Sequence, residues 1–427
     1  MTKERSERTP QVLPGQAHGP AVVITRRAAD RLRAGYLWVY RSDAESLIPR
    51  EGESDVAAGA LVTVVDGRGI PLGSGLYSSA SQIAVRMVSG VAGLTRAAYL
   101  KDVRERMEAA LELRRELAPA SKENDSCRLV FAEADVLPGV VADRYNDLVI
   151  LQLLTQGTAQ ADVRGVLAET LREHFADAVT AIVERPDPKI RELEELEAPS
   201  TAPLWSVDGA KLTTVFTING VRFHYDASSG QKTGAFLDQR RNYAAAARHA
   251  KGAALDICTY QGGFALHLAQ SCERVTGVDV SRAALEVADR NLELNPGLKA
   301  QVDWMEADAF ELLREYEATG ERFDTIVLDP PAFAKSKRAV EGALRGYKEM
   351  NLRAMKMLRP GGTLVTCSCS HHVGREEFVG VVAAAAADAH RRVQVLEVRG
   401  AAPDHPEILT LPETGYLKCL ICRVDQG

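Results

Sequence analysis

Between residues 250 and 427 the chain alternates short apolar runs with longer segments that repeat apolar residues at helical spacing. The apolar runs are AALDIC, RVTGVDV, QVDWMEA, FDTIVLD, GTLVTCS, VQVLEV and YLKCLICRV. Runs this short and apolar are typical of strands buried on both faces, and the helical segments between them can cover both faces of a mostly parallel sheet. This alternation predicts a doubly wound α/β fold with a sheet of seven strands.

Three further segments are predicted before this last domain, which we place at 206–427. Residues 1–20 are polar and without periodicity, and are predicted to form a disordered tail. Alternating apolar runs separated by glycines predict a β-rich module over 21–92. Residues 93–205 combine an amphipathic stretch with strand-like runs, which predicts a linker helix and a small central α/β domain. Prolines and glutamates at the end of this segment mark the boundary.

Three local patterns predict single elements. Residues 94–117 carry apolar side chains at three- and four-residue intervals, as an amphipathic helix does. A second helix is predicted near 158–175. In the last domain, TTVFTI and VRFHY flank Asn219-Gly220, a dipeptide that adopts the positive φ angles of a two-residue turn. The sequence therefore predicts a β-hairpin before the main sheet.

Charge and cysteine content limit the partners of the chain. It has 52 basic and 58 acidic residues among 427, and the net charge of −6 gives no whole-chain sign of nucleic-acid binding. An anionic partner must therefore meet a local basic patch. Seven cysteines suit a reducing cytoplasm, and the CxxC at Cys419 and Cys422 lacks a second ligand pair, so no metal is expected. No apolar stretch approaches the roughly 20 residues of a membrane span, so we expect a cytoplasmic protein with no membrane partner.

Acidic residues follow three successive strands, at the edge where open α/β sheets bind ligands. The first strand ends in Asp256-Ile-Cys-Thr-Tyr-Gln-Gly262-Gly263, whose glycines let the backbone approach a ligand. Asp279 follows the second strand about twenty residues later, where a carboxylate can accept both hydroxyls of a ribose. Asp308 ends the third strand. Helix capping is the alternative role for Asp256 and Asp279.

The glycine loop favours a methyl donor over a dinucleotide. It lacks the GxGxxG pattern, and Asp256 would place a carboxylate where a pyrophosphate must lie. The cationic amino-acid part of S-adenosylmethionine, in contrast, suits a carboxylate. The segment from Gly230 to Arg241 is polar and punctuated by glycine, and we expect it to fold over the donor as a lid.

The fourth strand ends in Asp329-Pro330-Pro331-Ala332-Phe333. Consecutive prolines stiffen the backbone and end the strand. An acid beside an aromatic ring is typical of methyltransferases that act on planar nitrogen-containing targets, because the ring can stack on a flipped base while the acid bonds its edge. The alternative is a simple turn, with Phe333 in the core.

The fifth strand ends in Thr366-Cys367-Ser368-Cys369-Ser370. Cytosine C5 is not nucleophilic enough to take a methyl group directly, so methylation there needs a thiolate added at C6. Cys369 lies nearer the cleft and is the expected nucleophile, whereas Cys367 is expected to pack in the sheet. A buried structural thiol is the alternative for Cys369.

A local basic cluster follows the DPP turn. Residues 332–356 include two acidic residues, Glu341 and Glu349, and seven basic ones, which are Lys335, Lys337, Arg338, Arg345, Lys348, Arg353 and Lys356. Such a cluster predicts a surface for nucleic-acid phosphates. A solvated helix face is the alternative.

Five of these motifs together resemble a known family. GQKTGAFLDQRRNY, DICTYQGGFALHLA, GVDVSRAALEVADRNLELN, LDPPAFAKSK and TCSCS resemble the bacterial class I S-adenosylmethionine-dependent methyltransferases that form 5-methylcytosine in 23S rRNA of the large ribosomal subunit. The resemblance implies a Rossmann-like methyltransferase domain, an N-terminal RNA-binding PUA domain that starts near LRAGYLWVYRSD, and rRNA as the partner. It leaves a homodimer open. Thr259, Gln261 and Ala332 depart from the family pattern.

The resemblance also implies roles for individual residues. Cys369 is the implied nucleophile, and Asp329 the second catalytic residue. The implied contacts to S-adenosylmethionine are made by Gln231, Lys232, Thr233, Phe236, Asp256, Tyr260, Gly262, Gly263, Asp279, Asp308 and Asp329. From the DPP motif and the basic cluster, we expect substrate contacts at Pro330, Phe333, Lys335, Lys337 and Arg338. The base that removes the C5 proton is unassigned.

Three other functions stay open on the sequence. An rRNA guanine or adenine N-methyltransferase would use the acid and aromatic of the DPP motif but would not need Cys369. An NAD-dependent oxidoreductase would bind a dinucleotide, and a non-catalytic RNA-binding protein would transfer no methyl group.

Overall fold

The computed structural model describes residues 19–228, 234–334 and 336–427. Within these ranges the strands form four sheets. The first sheet consists of β1 (Ala21–Ile24), β2 (Trp38–Tyr40), β3 (Ala44–Ile48), β4 (Leu61–Asp66), β5 (Pro71–Tyr77) and β6 (Ile83–Ser89). Their order is β2-β6-β5-β4-β1-β3. The predicted β-rich character of this segment is confirmed.

One helix in this segment, α1 (Arg26–Arg33), is not indicated by the alternating pattern. Its buried residues are the small Ala28 and Ala29, and Leu32 is the one large apolar side chain in the helix, so the sequence shows only a weak apolar pattern. The Thr25 side chain caps it by accepting a hydrogen bond from the backbone N–H of Ala28 at 3.2 Å.

The second sheet follows a long helix, α2 (Arg96–Leu117). Its strands are β7 (Ser126–Phe131), β8 (Val140–Tyr145), β9 (Leu148–Leu153), β10 (Ala181–Glu184) and β11 (Trp205–Ser206), in the order β11-β10-β9-β8-β7. Helices α3 (Ala161–Phe175) and α4 (Pro188–Leu193) belong to the same segment. Both predicted helices, 94–117 and 158–175, are confirmed as α2 and α3.

The predicted hairpin is formed by β12 (Thr213–Ile218) and β13 (Val221–Asp226). Its two turn residues, Asn219 and Gly220, have φ angles of +49° and +80°. Positive φ at both positions gives the turn the twist of the flanking strands, which is why this dipeptide predicts a hairpin.

The last and largest sheet has the order β16-β15-β14-β17-β18-β20-β19, and the α/β prediction is confirmed. The five strands from β16 to β18 are parallel, whereas β20 is antiparallel to both of its neighbours. The elements of this part, in chain order, are α5 (Arg240–His249), β14 (Ala253–Ile257), α6 (Gly263–Leu268), β15 (Arg274–Asp279), α7 (Arg282–Glu293), β16 (Gln301–Glu306), α8 (Ala309–Thr319), β17 (Phe323–Leu328), α9 (Val340–Met357), β18 (Leu358–Ser368), α10 (Arg375–Asp388), β19 (Arg391–Arg399) and β20 (Lys418–Gln426).

Successive residues of these strands face two different hydrophobic clusters. In β14, Ala254 belongs to one cluster and Leu255 to the other, as the two-residue period of a strand requires. The cluster around Ala254 also contains Phe216 of the hairpin and Tyr145 of the second sheet. Tyr145 stacks on Tyr225 with ring centroids 4.2 Å apart. The apolar core therefore continues across the predicted boundary at 205/206.

In the three described ranges, the structure contains no helix with the length and apolar character needed to cross a membrane.

Candidate active site

The chain reverses its strand order at β14, which pairs with β15 on one side and β17 on the other. A crevice opens at such a point, outside the carboxyl ends of the strands. The loops after these strands are joined by hydrogen bonds. The backbone N–H of Tyr260 donates to Asp279 Oδ2 at 2.9 Å, and that of Asp329 donates to the Ile257 carbonyl at 3.2 Å. The acids that the sequence places after the first, second and fourth strands therefore meet at one edge.

Asp256 is fully buried at the end of β14. Its Oδ2 accepts hydrogen bonds from the Thr259 hydroxyl at 2.5 Å and from the Ala265 backbone N–H at 2.9 Å. Its Oδ1 is buried without a hydrogen-bond partner among the described residues. Burial raises the pKa of Asp256 to about 7, and the two hydrogen bonds oppose this shift. An unpartnered carboxylate oxygen next to the glycine loop fits the cationic amino group of S-adenosylmethionine.

The loop between Asp256 and α6 packs so closely against aromatic side chains that two of its positions require glycine. Gly262 has a φ of +84°, and a Cβ there would lie 2.9 Å from the ring of Trp304. A Cβ on Gly263 would lie 2.6 Å from the Tyr243 hydroxyl. Tyr260 has a φ of +51°, which is uncommon for a residue other than glycine. Strained backbone of this kind concentrates at functional sites.

The ring of Trp304 packs against this loop at Gly262. This residue was not predicted from the sequence. It lies opposite Gly277 in the pairing of β15 with β16, and a Cβ on Gly277 would lie 2.5 Å from its ring. The glycine in the GVD run was therefore the available signal, since a strand interior normally disfavours glycine.

The other two acids each hold backbone groups in place. The carboxylate of Asp279 accepts from Tyr260 and, at 2.9 Å, from the backbone N–H of Ser281. Asp308 caps α8, because its Oδ1 accepts from the backbone N–H groups of Phe310 and Glu311 at 2.9 and 3.0 Å. Ser281, not Asp279, is the N-cap of α7. The contacts of Asp279 and Asp308 with the donor stay predictions.

Aromatic side chains line the loop on the side of the predicted lid. Phe236 is 38% exposed, and its ring meets that of Tyr260 edge-on with centroids 5.1 Å apart. The Tyr260 hydroxyl donates to the Gly234 carbonyl at 3.4 Å. The described part of the lid segment thus contacts the glycine loop. Three other residues for which donor contacts are predicted lie outside the described residues: Gln231, Lys232 and Thr233.

Asp329 follows β17 and is half-buried. Gln239 donates its side-chain N–H to Asp329 Oδ1 at 3.0 Å. Burial raises the pKa of Asp329 to about 8, and the nearby carboxylates of Asp238 and Asp256 contribute to the shift. Asp329 is therefore mainly a neutral acid at pH 7, able to donate a hydrogen bond.

Cys369 comes directly after β18 and is half-buried, so its sulfur is not enclosed in the core. The Sγ atom lies 3.9 Å from the carbonyl oxygen of Pro330, and Pro330 itself is buried. Cys367 is fully buried and lies opposite Cys419 in the pairing of β18 with β20. The structure therefore brings the Cys369 thiol to the DPP turn and leaves Cys367 in the sheet.

Lys418 holds the turn that follows Cys369. Its ammonium group donates to the carbonyls of Ser370, Val373 and Tyr416 at 2.7, 2.8 and 2.8 Å. Burial lowers the pKa of Lys418 to about 8, while the nearby Cys369 opposes the shift. The sequence analysis did not identify this residue, although a single lysine within the apolar run YLKCLICRV was a signal.

Phe333 is partly buried in the structure. Its ring packs against the rings of Tyr347 and Phe310, with centroids 4.7 and 5.9 Å away. Its stacking on a target base stays a prediction. Lys337 and Arg338 lie exposed in the turn before α9, and Lys335 is outside the described residues.

The basic surface is smaller than the charge of residues 332–356 predicts. Arg353 and Lys356 pair with Glu317 at 2.5 and 2.8 Å, and Lys348 pairs with Asp388 at 2.7 Å. Arg345 pairs with Glu341. A count of charge over residues 332–356 does not include Glu317 and Asp388, because they come from α8 and α10.

Protonation of Asp256 predicts how donor binding depends on pH. Because its pKa of about 7 must fall when a cation binds beside it, binding releases a proton whenever Asp256 starts neutral. We expect the affinity for S-adenosylmethionine to rise between pH 5.5 and pH 7, approaching about tenfold per pH unit at the acid end. Titration calorimetry in buffers of different ionisation enthalpy measures the affinity and the number of protons released on binding.

The Asp256→Asn variant should bind S-adenosylmethionine more weakly, and its affinity should not change with pH. An equally steep profile in that variant would contradict the assignment.

Comparison with known protein families agrees with this architecture. Residues 22–90 match a family model described as a PUA-like domain. Residues 149–423 match a model described as S-adenosylmethionine-dependent methyltransferase. The second match covers more than half of the chain and includes the glycine loop, the DPP turn and Cys369.

Curated relatives are similar to this chain over nearly its whole length. Ribosomal RNA large subunit methyltransferase I of Klebsiella pneumoniae (strain 342) is 36% identical over 415 residues, which is 95% of this chain and 98% of the relative. The protein of the same name from Shewanella amazonensis is 39% identical over 392 residues, covering 91% and 95% of the two chains.

A solved structure shares the fold at low sequence identity. It is a candidate methyltransferase complexed with SAH, with a TM-score of 0.77 and 17% identity, covering 94% of this chain and 99% of its own. A second structure, of a candidate methyltransferase from Streptococcus mutans, has a TM-score of 0.78 over the same shares. With these matches, the chain belongs to the S-adenosylmethionine-dependent methyltransferase family that includes the ribosomal RNA large subunit methyltransferase I proteins.

Proposed function

We propose that this enzyme forms 5-methylcytosine in 23S rRNA, with Cys369 as the nucleophile and Asp329 as a second catalytic residue. The names of the curated relatives support large-subunit rRNA as the substrate. One observation carries the choice of atom: the Cys369 sulfur lies 3.9 Å from the Pro330 carbonyl, at the sheet edge that also holds Asp256. A methyltransferase acting on a base nitrogen does not need a thiol there.

The N-terminal segments are assigned to RNA binding. The predicted domain over 21–92 contains the PUA-like match, and we infer that it holds structured RNA together with the central domain over 93–205. Structured RNA is recognised mainly through its shape and backbone, and a base that is to be modified leaves its stack. The target cytosine would then enter the crevice beside Cys369, where Pro330 and Phe333 border the site.

The reaction begins at the Cys369 sulfur. The thiol gives its proton to solvent, and the thiolate forms a bond to C6 of cytosine, which moves the C5=C6 electron pair toward C5 and N3. Asp329, neutral at pH 7, donates its proton to N3 and so limits the negative charge on the ring. S-adenosylmethionine supplies the methyl group that C5 takes.

Release of the product reverses the first steps. C5 loses its hydrogen as a proton, the electron pair restores the C5=C6 bond, and the Cys369 sulfur leaves as a thiolate. N3 returns its proton to Asp329. Lys418 holds the turn after Cys369 through three carbonyl groups, so the sulfur returns to the same place for the next cycle.

Mass spectrometry of nucleosides tests the product directly. Large-subunit rRNA from a strain that lacks this protein is incubated with the purified enzyme and S-adenosylmethionine, digested and analysed. We expect 5-methylcytidine at one position. Methylated guanosine or adenosine would instead support the N-methyltransferase alternative, and absence of any new methyl group would support an RNA-binding protein without catalysis.

The exposed basic residues predict a salt effect on RNA binding. Replacing Lys337 and Arg338 together by glutamate should weaken RNA binding, because both side chains are exposed next to the crevice. If each contacts one phosphate, the slope of log affinity against log salt should become shallower by roughly 1.5. Lys299 and Arg322 are exposed just before β16 and β17, at the edge of the large sheet opposite the crevice, and replacing both by glutamate is the matched control for two reversed surface charges. A double variant with the slope of the control would place Lys337 and Arg338 outside the RNA contact.

A further inference from the structure

The proposed reaction needs a base for the C5 proton, and general stereochemistry restricts where it lies. When a thiol and a methyl group add to opposite faces of a flat pyrimidine, the hydrogen on C5 is left on the face of the thiol. The base must therefore lie on the Cys369 side of the crevice. It must also hold an oxygen or nitrogen lone pair at neutral pH.

Three ionisable side chains near Cys369 do not meet this requirement. Lys418 directs its ammonium protons to three carbonyl groups and has no lone pair while charged. Burial raises the pKa of the Tyr416 hydroxyl well above its ordinary value, so it stays protonated. Asp329 has a pKa of about 8 and is itself mainly protonated at pH 7.

We propose that Asp238 is the general base that takes the C5 proton, an inference that rests on the proposed function. Asp238 lies in the short helical turn Leu237–Gln239 before α5, and it is half-buried. The Tyr416 hydroxyl donates to its Oδ2. The next residue, Gln239, reaches Asp329 Oδ1 at 3.0 Å. Successive side chains of this turn thus reach Tyr416 and Asp329.

Asp238 lies close to Asp329, because the next residue in the chain, Gln239, contacts the Asp329 carboxyl group directly. Its charge is the largest contribution, after burial, to the raised pKa of Asp329. Tyr416, which donates to Asp238, lies within electrostatic range of the Cys369 thiol as well. Since Cys369 also contacts the carbonyl of Pro330, the residue after Asp329, these groups lie near one another around the DPP turn.

Neighbouring groups hold the turn that carries Asp238 and place a positive charge within electrostatic range of it. Its backbone carbonyl accepts from the Ala402 N–H at 2.8 Å. The guanidinium group of Arg128, on β7, lies within electrostatic range of Asp238 and Tyr416. Arg128 is itself fixed by two hydrogen bonds to Asp143, at 2.5 and 3.1 Å. The second sheet therefore contributes a positive charge to the surroundings of this base.

Transfer of the C5 proton to Asp238 restores the cytosine ring and releases the Cys369 thiolate. The C5–H bond breaks, its proton forms a bond to a carboxylate oxygen of Asp238, and its electron pair becomes the C5=C6 bond. The C6–S bond breaks, and the sulfur keeps that pair as the thiolate. Asp238 then passes the proton to water.

Asp238→Asn is the decisive variant, because asparagine keeps an oxygen that can accept from Tyr416 but cannot take a proton. We expect the steps before proton removal to proceed, so a covalent protein–RNA complex should accumulate on unmodified rRNA. With S-adenosylmethionine labelled in its methyl group, the label should migrate with protein in denaturing gels. Turnover should fall at least about a hundredfold, while the affinity for S-adenosylmethionine should stay within about twofold of wild type.

A parallel experiment incubates the wild-type enzyme with RNA that contains 5-fluorocytosine. Because fluorine at C5 cannot leave as a cation in place of the proton, the covalent complex should be trapped. A trapped wild-type complex together with normal turnover of Asp238→Asn would overturn Asp238 as the base and leave the proposed function intact. An Asp238→Asn variant that is inactive without any labelled complex would also overturn it, because Asp238 would then act earlier. Failure of the wild type to be trapped would overturn the covalent mechanism itself.

Discussion

Replacing Cys369 by alanine is expected to reduce methyl transfer to rRNA by at least about a thousandfold, since removal of a catalytic nucleophile has effects of this size or larger. Binding of S-adenosylmethionine should stay within about twofold of wild type, because the sulfur lies at the DPP turn, whereas the amino group of the donor is expected to bind at Asp256. Rates are measured by transfer of a labelled methyl group to rRNA, and affinities by calorimetry. A variant with normal turnover would remove the thiol from the reaction.

Cys367→Ala is the matched control for this experiment. Cys367 is two residues earlier on the same chain segment and is fully buried opposite Cys419. Its loss should leave the rate within about threefold of wild type, with a stability cost of about 1 kcal/mol for a small cavity. Equal loss of activity in both variants would indicate damage to β18 rather than removal of a nucleophile.

Replacing Asp329 by alanine is expected to lower the rate about a hundredfold, the effect of removing one hydrogen-bond donor from a developing charge. Asp329→Asn should retain more activity, because its amide N–H can still donate to N3. The pH dependence of the rate shows whether Asp329 acts as a neutral hydrogen-bond donor or as a charged carboxylate. Since the neutral form is active and the pKa is about 8, the wild-type rate should fall as pH rises above 8.

The asparagine variant should lack this alkaline decline, because an amide does not titrate. The affinity of each variant for S-adenosylmethionine, measured in parallel, shows whether Asp329 also contacts this ligand. An alanine variant as active as wild type would contradict the role of Asp329. A decline above pH 8 that persists in Asp329→Asn would assign that titration to another group.

Features that depend on local spacing were predictable from the sequence. The Asn219-Gly220 turn, the helix over 94–117 and the seven strand runs all appear where the pattern places them. Cys367 and Cys369 are two residues apart, so both thiols point to the same face. Cys369 could be distinguished because it comes after the end of the strand. The acids after β14, β15 and β17 were also predictable, since parallel strands bring their carboxyl ends together.

Features that depend on contacts between distant segments were not predictable in this way. Trp304 matters because of the strand register that sets it against Gly277, and register is not visible in either run alone. The raised pKa of Asp329 requires the turn that carries Asp238 to lie beside it, about ninety residues away in the chain. The ion pairs of the basic cluster were not predictable for the same reason, since Glu317 and Asp388 belong to other helices.

The hairpin, the second sheet and the large sheet share one apolar core, so they are expected to unfold together. Tyr145 stacks on Tyr225, and its hydroxyl accepts from the Ala235 backbone N–H at 3.2 Å, next to the glycine loop. A cut at residue 206 would leave these aromatic faces in water on both fragments. The catalytic half is therefore not a self-sufficient unit to which RNA-holding parts were simply appended. Heat or denaturant should melt the two together, in a single cooperative transition.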